Sequence, residues 1–202
     1  MIRLLLLLAI PLAAASAAAQ TPVYRVDLIV YLDRQGSASA GLPPLERPAA
    51  GLSLQDEAAL AAAGIRVLPE SEFGLDTEWR RLSNARDYQP LVRLAWEQER
   101  PPSRRGPRLE VTFGQPFELV LPDAYTSELR TPLSGSVSLT LSRYLHLDVD
   151  LQYLRPPGAN ARAYRLREQR RLRRDELHYL DSQLLGVLAR VSRVDRGGEG
   201  AP

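Results

Sequence analysis

Both histidines of the chain sit in short runs of aromatic and acidic residues. The first run is Tyr144-Leu145-His146-Leu147-Asp148-Val149-Asp150, the second Glu176-Leu177-His178-Tyr179-Leu180-Asp181. Imidazole and carboxylate in this company could hold zinc or another divalent cation, with His178 and Asp181 joining His146, Asp148 and Asp150. Arginines crowd the same region: Arg165, Arg167, Arg170, Arg171, Arg173 and Arg174. They would repel a cation, and on paired strands they would neutralise the aspartates instead. Ion pairing is the favoured reading, so no metal ligand and no cofactor is assigned. No dense His/Glu motif, G-x-S-x-G elbow, S-x-x-K or phosphate loop occurs, so no catalytic residue is assigned either.

The arginines have a second use. Guanidinium forks bind carboxylates bidentately and stay charged when partly buried. Arg170, Arg171, Arg173 and Arg174, followed by His178 and Tyr179, form a candidate anion platform. The competing view is a solvated face that blunts a sheet edge. Trp79, Trp96, Tyr144 and Tyr179 could stack on sugar C–H faces. Trp79, on an amphipathic helix, is expected in the core. Trp96 and Tyr144 are the better candidates for exposure, Tyr144 beside His146 on a wet strand face. The candidate ligand contacts are therefore Arg170, Arg171, Arg173, Arg174, His178, Tyr179, Tyr144, His146 and Trp96.

These residues need strands to position them. From Val137 to Tyr153 every odd position is apolar except Arg143, while the even positions from Ser136 to Gln152 are polar or Tyr144. Period two without a Gly, Pro or Asn reads as one long strand with a dry face and a wet face. Arg155 to Asn160, RPPGAN, is a turn signal, and Tyr164 to Leu172 is the returning strand. Pairing Tyr153 with Tyr164 sets Asp148 opposite Gln169, Asp150 opposite Arg167 and His146 opposite Arg171. Leu184 to Val194 reads as a buried C-terminal strand, with the His178-Tyr179 knot at the turn before it.

The rest of the chain supplies partners. Tyr24 to Leu32 reads as an interior strand buried on both faces in its second half. Gln35 to Gly51 is a Gly/Pro/Ser/Ala-rich loop. Ser53 is expected to cap a helix over Leu54–Ala63 that Gly64 closes, and Asp76 or Thr77 to cap a second over Glu78–Ala85. Ile65 to Leu68 is a brief strand or turn. Tyr88 to Gln98, Arg108 to Phe113 and Phe117 to Leu121 read as further strands, and Pro122 to Ser134 as irregular. The expected architecture is α+β: a mainly antiparallel sheet of five to seven strands with a long C-terminal hairpin and two short helices on one face.

Composition narrows the setting. The formal net charge is only +2, every basic side chain apart from the histidines is arginine, and there is no cysteine. The chain can have neither a disulfide framework nor a thiolate metal site. Arg3, the apolar run Leu4 to Leu12 and Ala17-Ala18-Ala19 form a secretory signal, cleaved near Ala19. Its apolar core is too short for a confident membrane span. Residues 1–19 are thus expected to be a signal peptide, 20–194 one periplasmic domain and 195–202 a disordered tail. Export and near-balanced charge disfavour nucleic-acid binding.

The C-terminal stretch RRLRRDELHYLDSQLLGVLARV (Arg170–Val191) resembles the signature of the CsiV-type proteins, small periplasmic peptidoglycan-binding proteins of Gram-negative bacteria. Three other segments resemble the same family in the expected order: Tyr24–Arg34, Leu82–Gln98 and Gly135–Leu151. ELHYLD and RYLHLD are the specific pieces. The resemblance implies a non-enzymatic wall-binding protein that supports peptidoglycan synthesis. It also implies contact with a class A penicillin-binding synthase or its outer-membrane lipoprotein activator. Two rivals stay open. One is a periplasmic protein–protein interaction module without wall binding, and the other a metal-dependent hydrolase on His146, Asp148 and His178.

Overall fold

The computed structural model describes residues 21–36, 46–120, 127–155 and 162–194. The expected signal peptide and tail lie outside them, as do residues 37–45 of the first loop and 156–160 of the RPPGAN turn. In chain order the elements are β1 (Val23–Asp33), α1 (Glu57–Ala62), β2 (Ile65–Val67), α2 (Asp76–Asn84), β3 (Tyr88–Glu99), β4 (Leu109–Phe113), β5 (Phe117–Val120), β6 (Ser127–Arg130), β7 (Leu133–Leu141), β8 (Leu145–Leu154), β9 (Ala163–Leu172), β10 (Leu177–Asp181) and β11 (Leu185–Val194). The structure is mainly antiparallel sheet with two short helices. The strands do not form one sheet, however. A first sheet runs β10-β11-β1-β3-β2, a second β4-β7-β8-β9, and β5-β6 is a separate ribbon.

The two larger sheets share one core. Val26, Leu28 and Val30 of β1 and Val187, Ala189 and Val191 of β11 meet Val137 and Leu139 of β7 and Leu147, Val149 and Leu151 of β8. All are essentially inaccessible. Each Leu or Val so buried contributes about 1.5–3 kcal/mol before entropy is charged against it. A second sheet, rather than the helices, therefore covers the inner face of the first. Helix α2 packs on β3.

The predicted long strand over 137–153 is instead a hairpin. Ser142, Arg143 and Tyr144 turn the chain, and Leu141 pairs with Leu145. The turn leaves the alternation in phase because partners share parity, as in Val137 with Val149 and Ser138 with Asp148. The β8–β9 register is as derived: Tyr153 faces Tyr164, Asp148 faces Gln169, Asp150 faces Arg167 and His146 faces Arg171.

Smaller differences have local causes. Helix α1 starts at Glu57 because Asp56, not Ser53, accepts the Ala59 N–H at 3.0 Å. Ser53 Oγ accepts from the Gln55 N–H instead. The expected irregular segment before Ser134 contains β6 and the start of β7. In β3 the register with β1 slips between Val30, facing Val92, and Tyr31, facing Pro90. A bulge beside proline, which has no N–H to donate, suits both facts.

Candidate functional site

The outer face of the second sheet is a ladder of polar side chains on three adjacent strands. Ser136, Ser138 and Thr140 of β7 face Asp150, Asp148 and His146 of β8. Beyond them on β9 stand Arg167, Gln169 and Arg171. Alternation forces this arrangement, since the intervening residues fill the core. Much of the ladder is nonetheless out of water: Ser136, Ser138, Thr140, Asp150 and Gln152 are buried.

Two covering segments account for the burial. Residues 46–52 lie over one end, where Ala49 N–H donates to Asp150 at 3.3 Å and Gln152 Nε2 donates to the Glu46 carbonyl at 3.0 Å. Leu52 also forms a parallel bridge to Leu109. Arg165 grips Asp150 through Nε at 2.8 Å and Nη2 at 3.0 Å, and reaches Glu46 at 2.9 Å. Burial opposes ionisation of Asp150. Arg165, the Ala49 N–H and nearby Arg167 outweigh it and hold the carboxyl below its ordinary pKa.

Residues 102–108 cover the other end. Leu141 N–H donates to the Pro102 carbonyl at 2.9 Å, and Arg108 pairs with Asp148 at 2.9 Å. Gly106 lies so close to β7 that a Cβ there would be 2.8 Å from the Leu139 carbonyl oxygen. Between this segment and the ladder is a groove of about 530 Å³, lined by Arg104, Arg105, Arg108, Ser138, Thr140, Ser142, His146, Asp148 and Gln169, among others. Arg104, Arg105 and Arg108 are not among the contacts expected from the sequence. They sit in a connector read only as charged and proline-rich, and their lone signal was the Arg-Arg-Gly-Pro-Arg cluster itself.

The sequence-predicted contacts do not form one site. Tyr144 and His146 stand at the groove end of the sheet, where the Arg171 guanidinium stacks 3.3 Å from the centre of the Tyr144 ring and Arg143 lies 5.5 Å from it. One face of Tyr144 is thus already occupied by a cation. Arg170 points to the opposite side of β9 from Arg171 and pairs with Glu168 at 2.7 Å. Arg173 and Arg174 are exposed in the turn from β9 to β10, with Arg173 3.7 Å from Glu176. His178 braces that turn by accepting the Arg173 N–H at 2.9 Å through Nε2.

Tyr179 is elsewhere. It faces outward from the first sheet, bonded to Tyr31 beside Tyr88 and Asp181, so the structure does not bring it to His146. Burial and the bond to Tyr179 push the Tyr31 phenol upward. Trp96 is a correction: it is fully inaccessible in the shared core and cannot stack on an external sugar. Trp79 is the reverse, only half buried, lining a shallow groove with Phe73, Leu91 and Phe113. Three of the residues proposed as metal ligands have other partners, Asp148 on Arg108, Asp150 on Arg165 and His178 on the Arg173 backbone, while His146 faces the groove.

The positive end of the second sheet carries Arg104, Arg105, Arg143, Arg171 and Arg174. None has an ion-pair partner among the described residues. Two packed antiparallel sheets with polar side chains and arginines converging at one end define a β-scaffold suited to binding anionic, hydrogen-bonding ligands. The chain belongs to the CsiV family, described as peptidoglycan-binding proteins, whose model matches residues 1–194. No curated protein and no solved structure matches it significantly. A peptidoglycan-binding family implies a cell-envelope location. Among the described residues no helix is long and apolar enough to cross a membrane.

Proposed function

We propose that this protein is a non-catalytic, periplasmic peptidoglycan-binding protein that supports cell-wall synthesis and contacts a class A synthase or its outer-membrane lipoprotein activator. The N-terminal pattern of Arg3, Leu4–Leu12 and Ala17–Ala19 supports export with cleavage near Ala19. The observation that carries the reading is the group of arginines at one end of the second sheet, Arg104, Arg105, Arg143, Arg171 and Arg174, which lack carboxylate partners among the described residues. Stem peptides of the wall present free carboxylates, and arginine forks match them. Recognition makes and breaks no bond, and many weak contacts along a polymer add up by avidity.

The test is co-sedimentation of the mature protein with purified sacculi over a salt series, beside a folded variant carrying Arg143→Gln, Arg171→Gln and Arg174→Gln. Pelleting that weakens with salt and drops in the variant is expected, because exposed charge contacts are screened. Failure of the wild type to pellet even at low salt would overturn the reading.

A second reading has its own observation. Leu177 and Tyr179 of the terminal strand β10 and Tyr88 of β3 are exposed on the outer face of the first sheet. An interaction module that docks another envelope protein there would bind that partner without pelleting with sacculi.

A further inference from the structure

We infer that the groove between residues 103–108 and the polar ladder of β7, β8 and β9 is a discrete binding site for a carboxylate-bearing, hydroxyl- and amide-rich fragment of the wall. This rests on the wall-binding reading and assigns it a location. At about 530 Å³ the groove has the size of a small-ligand site, enough for a sugar or peptide unit at a time. Three arginines against one aspartate give its lining a positive balance.

The three arginines differ in state. Arg108 is committed: it pairs with Asp148 at 2.9 Å and donates toward Ser136 Oγ at 3.4 Å. Arg104 and Arg105 are exposed and have no partner among the described residues. They are the groups left to take a carboxylate. The floor supplies the neutral part of the recognition. The side chains of Ser138, Thr140, His146 and Gln169 line the groove, and none has a hydrogen-bond partner among the described residues. Ser138 and Thr140 are buried as residues, while their side chains line the groove. Hydroxyl, amide and imidazole groups set side by side match ligand hydroxyls and amides, which a simple anion lacks.

The walls are held before a ligand arrives. The Pro102 carbonyl is bonded to the Leu141 N–H, Arg108 is fastened to Asp148, and Gly106 allows the segment to lie against Leu139. A site fixed in this way spends little ordering entropy on binding.

The carboxylates belong to the stem peptide, and the site could read that peptide alone or together with the sugar that carries it. Calorimetric titration of the mature protein with three probes separates them: the disaccharide tetrapeptide of the wall, the free tetrapeptide, and neutral chitotetraose. The expected result is one saturable site for the disaccharide tetrapeptide and none for chitotetraose. Equal affinity for the free tetrapeptide would identify the stem carboxylates as the ligand, and weaker affinity would show that the sugar is read as well. Arg104→Gln with Arg105→Gln, in an exposed segment, should weaken binding about tenfold or more. Arg80→Gln with Arg81→Gln on α2 should leave it within about twofold.

Binding of chitotetraose as tight as that of the muropeptide, or binding unchanged by the groove variant, would overturn the inference. So would an absence of muropeptide binding in a protein that still pellets with sacculi, which leaves wall binding standing and removes this site. Absence of both would instead take down the wall-binding reading on which the site rests.

Discussion

Replacing Asp150 with asparagine removes one charge from the layer that fastens residues 46–52 to the second sheet. The wild-type carboxylate accepts two bonds from Arg165, at 2.8 and 3.0 Å, and one from Ala49 at 3.3 Å, with its side chain only 6% exposed. Asparagine keeps the shape but offers one acceptor oxygen and no charge. Breaking a fully buried ion pair from one side costs about 3–5 kcal/mol. Arg165, however, is 23% exposed and keeps Glu46 as a partner, so its stranded charge remains partly solvated. A loss of about 2 kcal/mol at pH 7 follows. The pH dependence has a definite sign. The native Asp150 pKa is depressed, so its contribution is present above the unfolded value of about 3.9 and is lost as pH falls through the lower native value. Urea unfolding of wild type and Asp150→Asn from neutral to acid pH should show a gap at pH 7 that closes on acidification. Equal midpoints at pH 7, or a gap that stays constant across the series, would refute the argument.

Two further predictions follow from close contacts. A Cβ at Gly186 would lie 2.3 Å from Cζ of Tyr31, the residue it faces in the central β1–β11 pair. Gly186→Ala should therefore cost about 1–3 kcal/mol by overpacking, seen as a lower melting temperature, and should cost less when made in a Tyr31→Ala background. An unchanged melting temperature would show that the ring moves aside freely. His178→Ala strands the Arg173 N–H and should cost about 1 kcal/mol in denaturant while sacculus pelleting persists. Loss of pelleting in the folded variant would make His178 a ligand contact after all.

The alternation over 136–153 determined which side chains face the core and which form the polar ladder, because the pleat leaves no other choice. The spacing of Tyr153 and Tyr164 across a short loop determined the β8–β9 register to the residue, and with it the neighbours of His146, Asp148 and Asp150. The ELHYLD and RYLHLD runs carried the family likeness that the match over residues 1–194 bears out. Tertiary structure decided the rest. A turn at 142–144 that preserves parity leaves no break in the periodic pattern, so one strand and a hairpin look alike in sequence. Trp96 is buried and Trp79 only half buried, against expectation, because burial depends on which sheet covers a face, and the second sheet covers that of Trp96. The free arginines were also a tertiary result. Arg165 and Arg170 found carboxylates, whereas Arg104 and Arg105, distant in sequence from His146, were brought to the same groove by a segment folded back over β7. Charge runs report where cations are. Which of them stay available depends on where the acids end up, and only the packed fold fixes that.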